Sequence, residues 1–274
     1  MAVTADEPAD PRQADVAAAE ALLVAAARDG AALLPDLIGV DLCALGAAFQ
    51  AVFDEPVWRA WVNLPDAYRE QLTGDAFRGL AGRRLMDPPQ SVPEAGGRPL
   101  ARIAPALGLI MMARNQPAFL VQCAVDGEQR GAPRMYGIAQ EDMGVRAVLV
   151  ERASNERIGF GVQQHVVLSR AEDLARRDDL HQLYKYVLLS PGRSISTLAS
   201  WLCDDQSAAT RTLDLYRNSE GEGLTRIRLT ANRESDGRLV VTDDDGPIRG
   251  ENAGTADDVA NELTRRVLVG TAAR

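Results

Sequence analysis

Two hydrophobic periodicities divide the chain near Pro117. Before this residue, apolar side chains recur every three or four positions, as in residues 41–53, and this spacing places them on one face of a helix. After it, runs such as AFLVQCAV and RAVLVE contain β-branched and aromatic residues, and turn sequences such as DGEQRG separate them. The pattern predicts an α+β fold in which a helical region, residues 11–115, packs with an antiparallel sheet and its helices, residues 116–274, in one domain.

The start of the helical region is marked by proline and aspartate. Residues 1–10 are rich in acid and proline, which predicts a disordered tail. Pro11 should open a helix that ends at Gly30, and Asp41 is the expected N-cap of a second helix.

Prolines also mark the later helices. Pro56 and Pro65 are expected to open two of them, and Trp58 and Trp61 should share one face, as core residues do. The segment LARIAPALGLIMMAR continues the helical pattern, with a bend expected at Pro105.

A meander followed by a helix is expected twice, over residues 118–187 and residues 210–268. In the first unit, Ser169 and Glu172 have the spacing of a capping box, which predicts a helix through SRAEDLARRDDLHQLYKYVL. The segment GRSISTLASWLCD predicts a further helix between the units. In the second unit, Thr255 should start the final helix.

Two strands of the second unit are half polar. TRTLDLYR and LTRIRLT alternate with a period of two, and their arginine- and threonine-rich face cannot all enter a core. One face of the sheet is therefore expected to contact water or a partner. An edge of such a sheet, or a groove beside it, can bind another polypeptide. Exposed edges also allow a homodimer, although negative charge and turn-rich edges oppose indiscriminate association.

Charge and cysteine content narrow the class of partner. The chain of 274 residues has a formal net charge of −9, whereas a protein that binds nucleic acid needs a basic face, so no nucleic acid partner is expected. No apolar segment reaches the roughly 18 residues of a membrane span, and the acidic N-terminus lacks the features of a secretory signal. Cys43, Cys123 and Cys203 lie far apart in apolar contexts, as buried free thiols do. These features predict a cytoplasmic protein with no membrane contact.

His165 and His181 are the strongest candidates for catalysis. Strand alternation places His165 opposite Phe160, without a ligand or base at a useful spacing. His181 falls on a predicted helix three positions after Asp178, which is the spacing of an exposed ion pair. The motifs HExxH, GxSxG and GxGxxG are absent. We therefore assign no catalytic, cofactor-binding or metal-ligating residue, and we expect a non-enzymatic protein without a cofactor.

Two stretches carry a family resemblance. YREQLTGDAFRGLAGRRLM, followed by a loop and PLARIAPALGLIMMARNQPAFLVQCAV, forms the first, and ESDGRLVVTDDDG followed by ADDVANELTRRV forms the second. Both resemble the EspG family of actinobacterial proteins, which is associated with ESX (type VII) secretion. The near-complete use of arginine, with Lys185 as the single lysine, is also typical of actinobacterial genes. The resemblance implies a cytoplasmic chaperone with quasi-two-fold halves that binds helical secretion substrates of the PE/PPE kind.

The sequence thus favours a protein-binding chaperone or adaptor, and two alternatives stay open. One is a transcriptional regulator, because helices between residues 41 and 114 followed by strands are compatible with a winged helix. Its acidity and its lack of a basic recognition helix oppose this interpretation. The other is an enzyme whose acids, arginines and His165 meet in a cleft of the sheet.

Overall fold

A computed structural model gives the fold of the chain. The described residues are 11–46, 55–87, 102–129, 132–140, 144–157, 178–204, 209–219, 223–233, 239–243, 246–247 and 255–264. The predicted tail at residues 1–10 lies outside them.

The N-terminal region is helical, as predicted. Its helices are α1 (Pro11–Asp29), α2 (Gly39–Ala44), α3 (Pro56–Val62), α4 (Asp66–Gly82) and α5 (Pro105–Asn115). Proline occupies an early position of α3 and α5, where the missing N–H has no helical partner to lose.

Two details of the helical region differ from the prediction. Pro105 begins α5 and does not bend a longer helix, because the preceding Ala104 is extended and proline disfavours a helical residue before it. Asp41 is not the N-cap of α2, since the helix starts at Gly39. Its carboxylate instead accepts a hydrogen bond from the backbone N–H of Ile38 at 3.1 Å and pairs with Arg83 at 2.5 Å.

The strands form one antiparallel sheet of ten strands. They are β1 (Ala31–Leu33), β2 (Leu37–Ile38), β3 (Phe119–Val125), β4 (Arg134–Gln140), β5 (Gly144–Arg157), β6 (Gln182–Leu189), β7 (Arg211–Ser219), β8 (Gly223–Arg233), β9 (Leu239–Asp243) and β10 (Gly246–Pro247). Their order across the sheet is β1-β6-β5-β4-β3-β7-β8-β9-β10, and β2 also pairs with β6. The fold is therefore α+β, as the sequence predicts.

One predicted helix is wrong in its second half. Residues 169–177 lie outside the described residues, but Gln182–Leu189 is strand β6. Tyr184, Tyr186 and Leu188 alternate along it and enter a core on one face of the sheet. The period of two in YKYVLL therefore outweighs the helical pattern inferred from the capping box.

A meander followed by a helix nevertheless occurs twice. The first meander is β3 to β6, followed by α6 (Pro191–Leu202), and the second is β7 to β10, followed by α7 (Ala256–Thr264). The first strands of the two meanders, β3 and β7, pair antiparallel, and Gln122 and Asp214 form the middle pair. A two-fold axis perpendicular to the sheet at this pair relates the two meanders in topology.

Separate hydrophobic cores lie on the two faces of the sheet. On the front face, α1 to α5 pack against side chains such as Leu120, Leu149 and Leu188. On the back face, α6 and α7 pack against each other and against side chains such as Val121 and Leu213. The central strands are therefore buried on both faces.

Candidate binding face and buried charge cluster

The front of the sheet is covered over one half only. Helices α1, α2 and α5 pack on strands of the first meander and its edge, and in the described part of the chain none of α1 to α5 packs extensively on β7, β8 or β9. The front side chains of β7 and β8, which we call the open face, are Thr212, Asp214, Tyr216, Arg226, Arg228 and Thr230. They alternate with leucines that pack into the back core, so the expectation from the half-polar strands is confirmed.

Asp214 holds the two arginines of the open face in place. Arg226 donates from Nε and Nη2 at 3.0–3.1 Å, and Arg228 donates from the same two nitrogens at 2.7 Å. The Asp214 side chain is 11% exposed, whereas each arginine side chain is 44% exposed. The open face thus presents two cations against one anion, on a chain whose net charge is −9.

A row of polar side chains crosses the front face. Register pairs each member with the next one on the neighbouring strand, and the row consists of Tyr186, Glu151, Arg134, Gln122, Asp214 and Arg228. It begins under the N-terminal helices and ends on the open face. Polar groups therefore connect the buried half of the sheet to its uncovered half.

The buried half of this row belongs to a cluster of four charged groups. Arg114 of α5 donates from Nη2 to both carboxylate oxygens of Glu55 at 2.9 and 3.0 Å, and it also contacts Glu151. Arg134 Nη1 lies 3.1 Å from Glu55 Oε2 and 3.6 Å from Glu151 Oε1. Arg114 also donates to the Tyr136 hydroxyl at 3.0 Å. The cluster contains two cations and two anions, so it is neutral as a whole.

Burial shifts the titration of this cluster. Burial alone would lower the pKa of Arg114, but the neighbouring carboxylates, Glu151 foremost, outweigh burial and hold that pKa well above its usual value. Burial also raises the pKa of the Tyr136 hydroxyl, which stays protonated and donates to Glu151 Oε1 at 3.4 Å. The arginines therefore keep their charge at every physiological pH.

A cavity of about 420 Å³ borders the cluster. It lies between the start of α3, the turn after β3 and the strands β5 and β6. Its charged lining residues are Arg59, Glu128, Arg134, Glu151 and Asp179. Side-chain exposure is 11% for Arg134 and 2% for Glu151, so these two form the deep end, while Arg59 and Glu128 are exposed at the rim.

The two histidines do not form a site in the described residues. His165 lies outside them, and His181 precedes β6 without lining the cavity, although Asp179 and Gln182 on either side of it do. Over the residues that the structure describes, no group of three or more His, Cys, Asp and Glu side chains is arranged to hold a metal ion.

The charge cluster was missed in the sequence. Glu55 and Arg114 lie far apart in the chain, so no local motif contains them. The strand members did leave a pattern: Arg134 shares the alternation of Tyr136, and Glu151 shares that of Leu149, so both occupy inward positions. A charged residue at an inward strand position is the observation that could have revealed the cluster.

Comparison of the sequence with protein-family models gives no match, and comparison with curated protein sequences also gives none. Within the described stretches, no helix combines the length and the apolar character needed to cross a bilayer. Function is therefore inferred from the residues of this chain.

Proposed function

We propose that the protein is a non-enzymatic chaperone or adaptor that binds another polypeptide through the open face. The observation that carries the proposal is the pair Arg226 and Arg228, fixed by Asp214 on the half of the sheet that α1 to α5 leave uncovered. Guanidinium groups held in a fixed orientation bind carboxylate and carbonyl groups with little loss of side-chain entropy. The partner is expected to bring carboxylates to this face.

Stability alone does not account for these arginines. Exposed ion pairs of this kind contribute about 0–1 kcal/mol to the free energy of unfolding. Apolar or threonine side chains would serve a purely structural sheet equally well. The local positive charge is also opposite in sign to the net charge of the chain, which favours recognition of one acidic segment over general adhesion to acidic proteins.

The resemblance to the EspG family names the first candidate partner, a helical substrate of a type VII secretion system, bound in the cytoplasm. The regulator alternative is less well supported, because β3 and β4, which would form the wing of a winged helix, are central strands of the large sheet. The enzyme alternative would need a reactive group in the cavity.

Affinity capture from the native host tests the proposal. The bait proteins are the parent chain, the double variant Arg226→Glu with Arg228→Glu, and a control with Arg28→Glu and Arg78→Glu, whose side chains are 75% and 74% exposed elsewhere. A polypeptide retained by the parent and the control but lost by the open-face variant supports the proposal. Identical capture by all three baits, or self-association as the sole interaction, would contradict it.

A further inference from the structure

The cavity next to the charge cluster is a second feature with the properties of a binding site. At about 420 Å³ it falls within the size range of small-molecule pockets. It lies in the covered half of the sheet, away from the open face, so a ligand there is independent of a polypeptide bound to Arg226 and Arg228.

Charges of both signs line the cavity. Arg134 lies at the deep end beside Glu151, and the exposed Arg59 is a second cation. Glu128, from the turn after β3, and Asp179, before β6, add two carboxylates. A ligand with only negative charge meets three carboxylates, and a ligand with only positive charge meets two guanidinium groups. The complementary ligand therefore carries both charges.

Burial of this cluster is costly for a scaffold. Two ion pairs removed from water rarely stabilise a fold more than apolar side chains of the same volume would. Buried charged groups that border a hollow are characteristic of ligand sites, because a dry, fixed charge binds a counter-charge strongly. The cluster fixes Arg134 from behind through Glu55 and Glu151.

The rest of the wall includes apolar groups. Pro56, Ala132, Ala153 and the half-polar ring of Tyr184 contribute to it. A ligand with a hydrocarbon portion would bury that portion here and gain from the hydrophobic effect.

We propose that this cavity binds a free α-amino acid with an apolar side chain, in its zwitterionic form. The carboxylate of the amino acid pairs with Arg134, its ammonium group pairs with Glu128 and Asp179, and its side chain contacts Ala153 and Tyr184.

Isothermal titration of the full chain with three matched probes tests the ligand class. L-Leucine carries both charges, isoamylamine lacks its carboxylate, and 4-methylpentanoate lacks its ammonium group. We expect leucine to bind at least about tenfold more tightly than either analogue, since each analogue leaves one buried charge without its partner. Equal binding of an analogue, or no binding of any probe, would overturn the proposal. No partner protein is present, so the outcome is independent of the proposed function.

Rim variants test the orientation of the ligand without touching the buried cluster. Glu128→Gln and Asp179→Asn should each weaken leucine binding about tenfold, because each removes one counter-charge of the ammonium group. The control Asp66→Asn, in which the side chain is 85% exposed on α4, should bind leucine as the parent does. Circular dichroism and melting temperature establish that each variant is folded. Unchanged leucine affinity in both rim variants would overturn the proposed orientation and the site with it.

Discussion

Gln122 on β3 lies directly opposite Asp214 on β7, at the junction of the two meanders. Its other cross-strand neighbour is Arg134 of the charge cluster. The side chain is 3% exposed, and among the described residues its Oε1 accepts no hydrogen bond, while its Nε2 reaches only the carbonyl of Cys123 at 3.5 Å. A single neutral amide therefore separates the buried charges from those of the open face.

Replacement of this amide by an apolar group should be tolerated. A buried polar atom without a partner costs about 1–3 kcal/mol, so Gln122→Met is expected to raise the free energy of unfolding by roughly 1 kcal/mol. Urea denaturation of the variant and the parent measures the difference. A loss of more than about 1 kcal/mol would mean that the amide bonds to both neighbours in solution.

The charge cluster should be sensitive to the loss of one member. Arg114→Met leaves Glu55 and Glu151 buried with one cation instead of two, and we expect the free energy of unfolding to fall by about 3–5 kcal/mol. Arg78→Met, which removes an exposed ion pair on α4, is the control and should change it by less than about 1 kcal/mol. Similar values for the two variants would show that the cluster does not contribute as its contacts imply.

Gly137 on β4 has no room for a side chain. A Cβ at this position would lie 2.5 Å from two ring carbons of Phe119, so Gly137→Ala should lower the free energy of unfolding by about 1–3 kcal/mol. Gly79 in α4 is the matched control, because nothing lies within 4 Å of a Cβ there. Gly79→Ala should raise stability by about 0.4–1 kcal/mol. The two changes are therefore expected to move the thermal midpoint in opposite directions.

Two of the three thiols should resist alkylation. Burial raises the pKa of the Cys43 thiol to about 12 and raises that of the fully buried Cys123 as well. At pH 8 the thiolate of Cys43 is then present at about 1 part in 10,000. Iodoacetamide followed by mass spectrometry should modify these two thiols only after denaturant is added. Rapid labelling of either one in the native protein would show that its core opens.

The fold could be predicted wherever a segment has one clear period. Strands such as Phe119–Val125 and helices such as Pro191–Leu202 have uniform patterns, and the sequence predicts both. The segment Gln182–Leu189 was mistaken for helix because the capping residues Ser169 and Glu172 precede it, although its own aromatic alternation is that of a strand. Local start residues carry less information than the periodicity of the segment itself.

The candidate sites divide in the same way. The open face follows from alternation within β7 and β8, so the half-polar strands predict it. The charge cluster depends on contacts between Glu55, Arg114 and two strands, and pairs distant in the chain leave no local motif. The cavity depends on the packing of α3 against β5 and β6, which a single sequence does not encode in any short segment.

Arginine footprinting of the complex is the most direct test of the central claim, that the open face binds a polypeptide. The parent protein is treated with phenylglyoxal alone and with its captured partner, and modified residues are read by mass spectrometry. We predict that the partner protects Arg226 and Arg228 while Arg28 and Arg78 remain reactive. Protection of other residues, with Arg226 and Arg228 still modified in the complex, would contradict the claim.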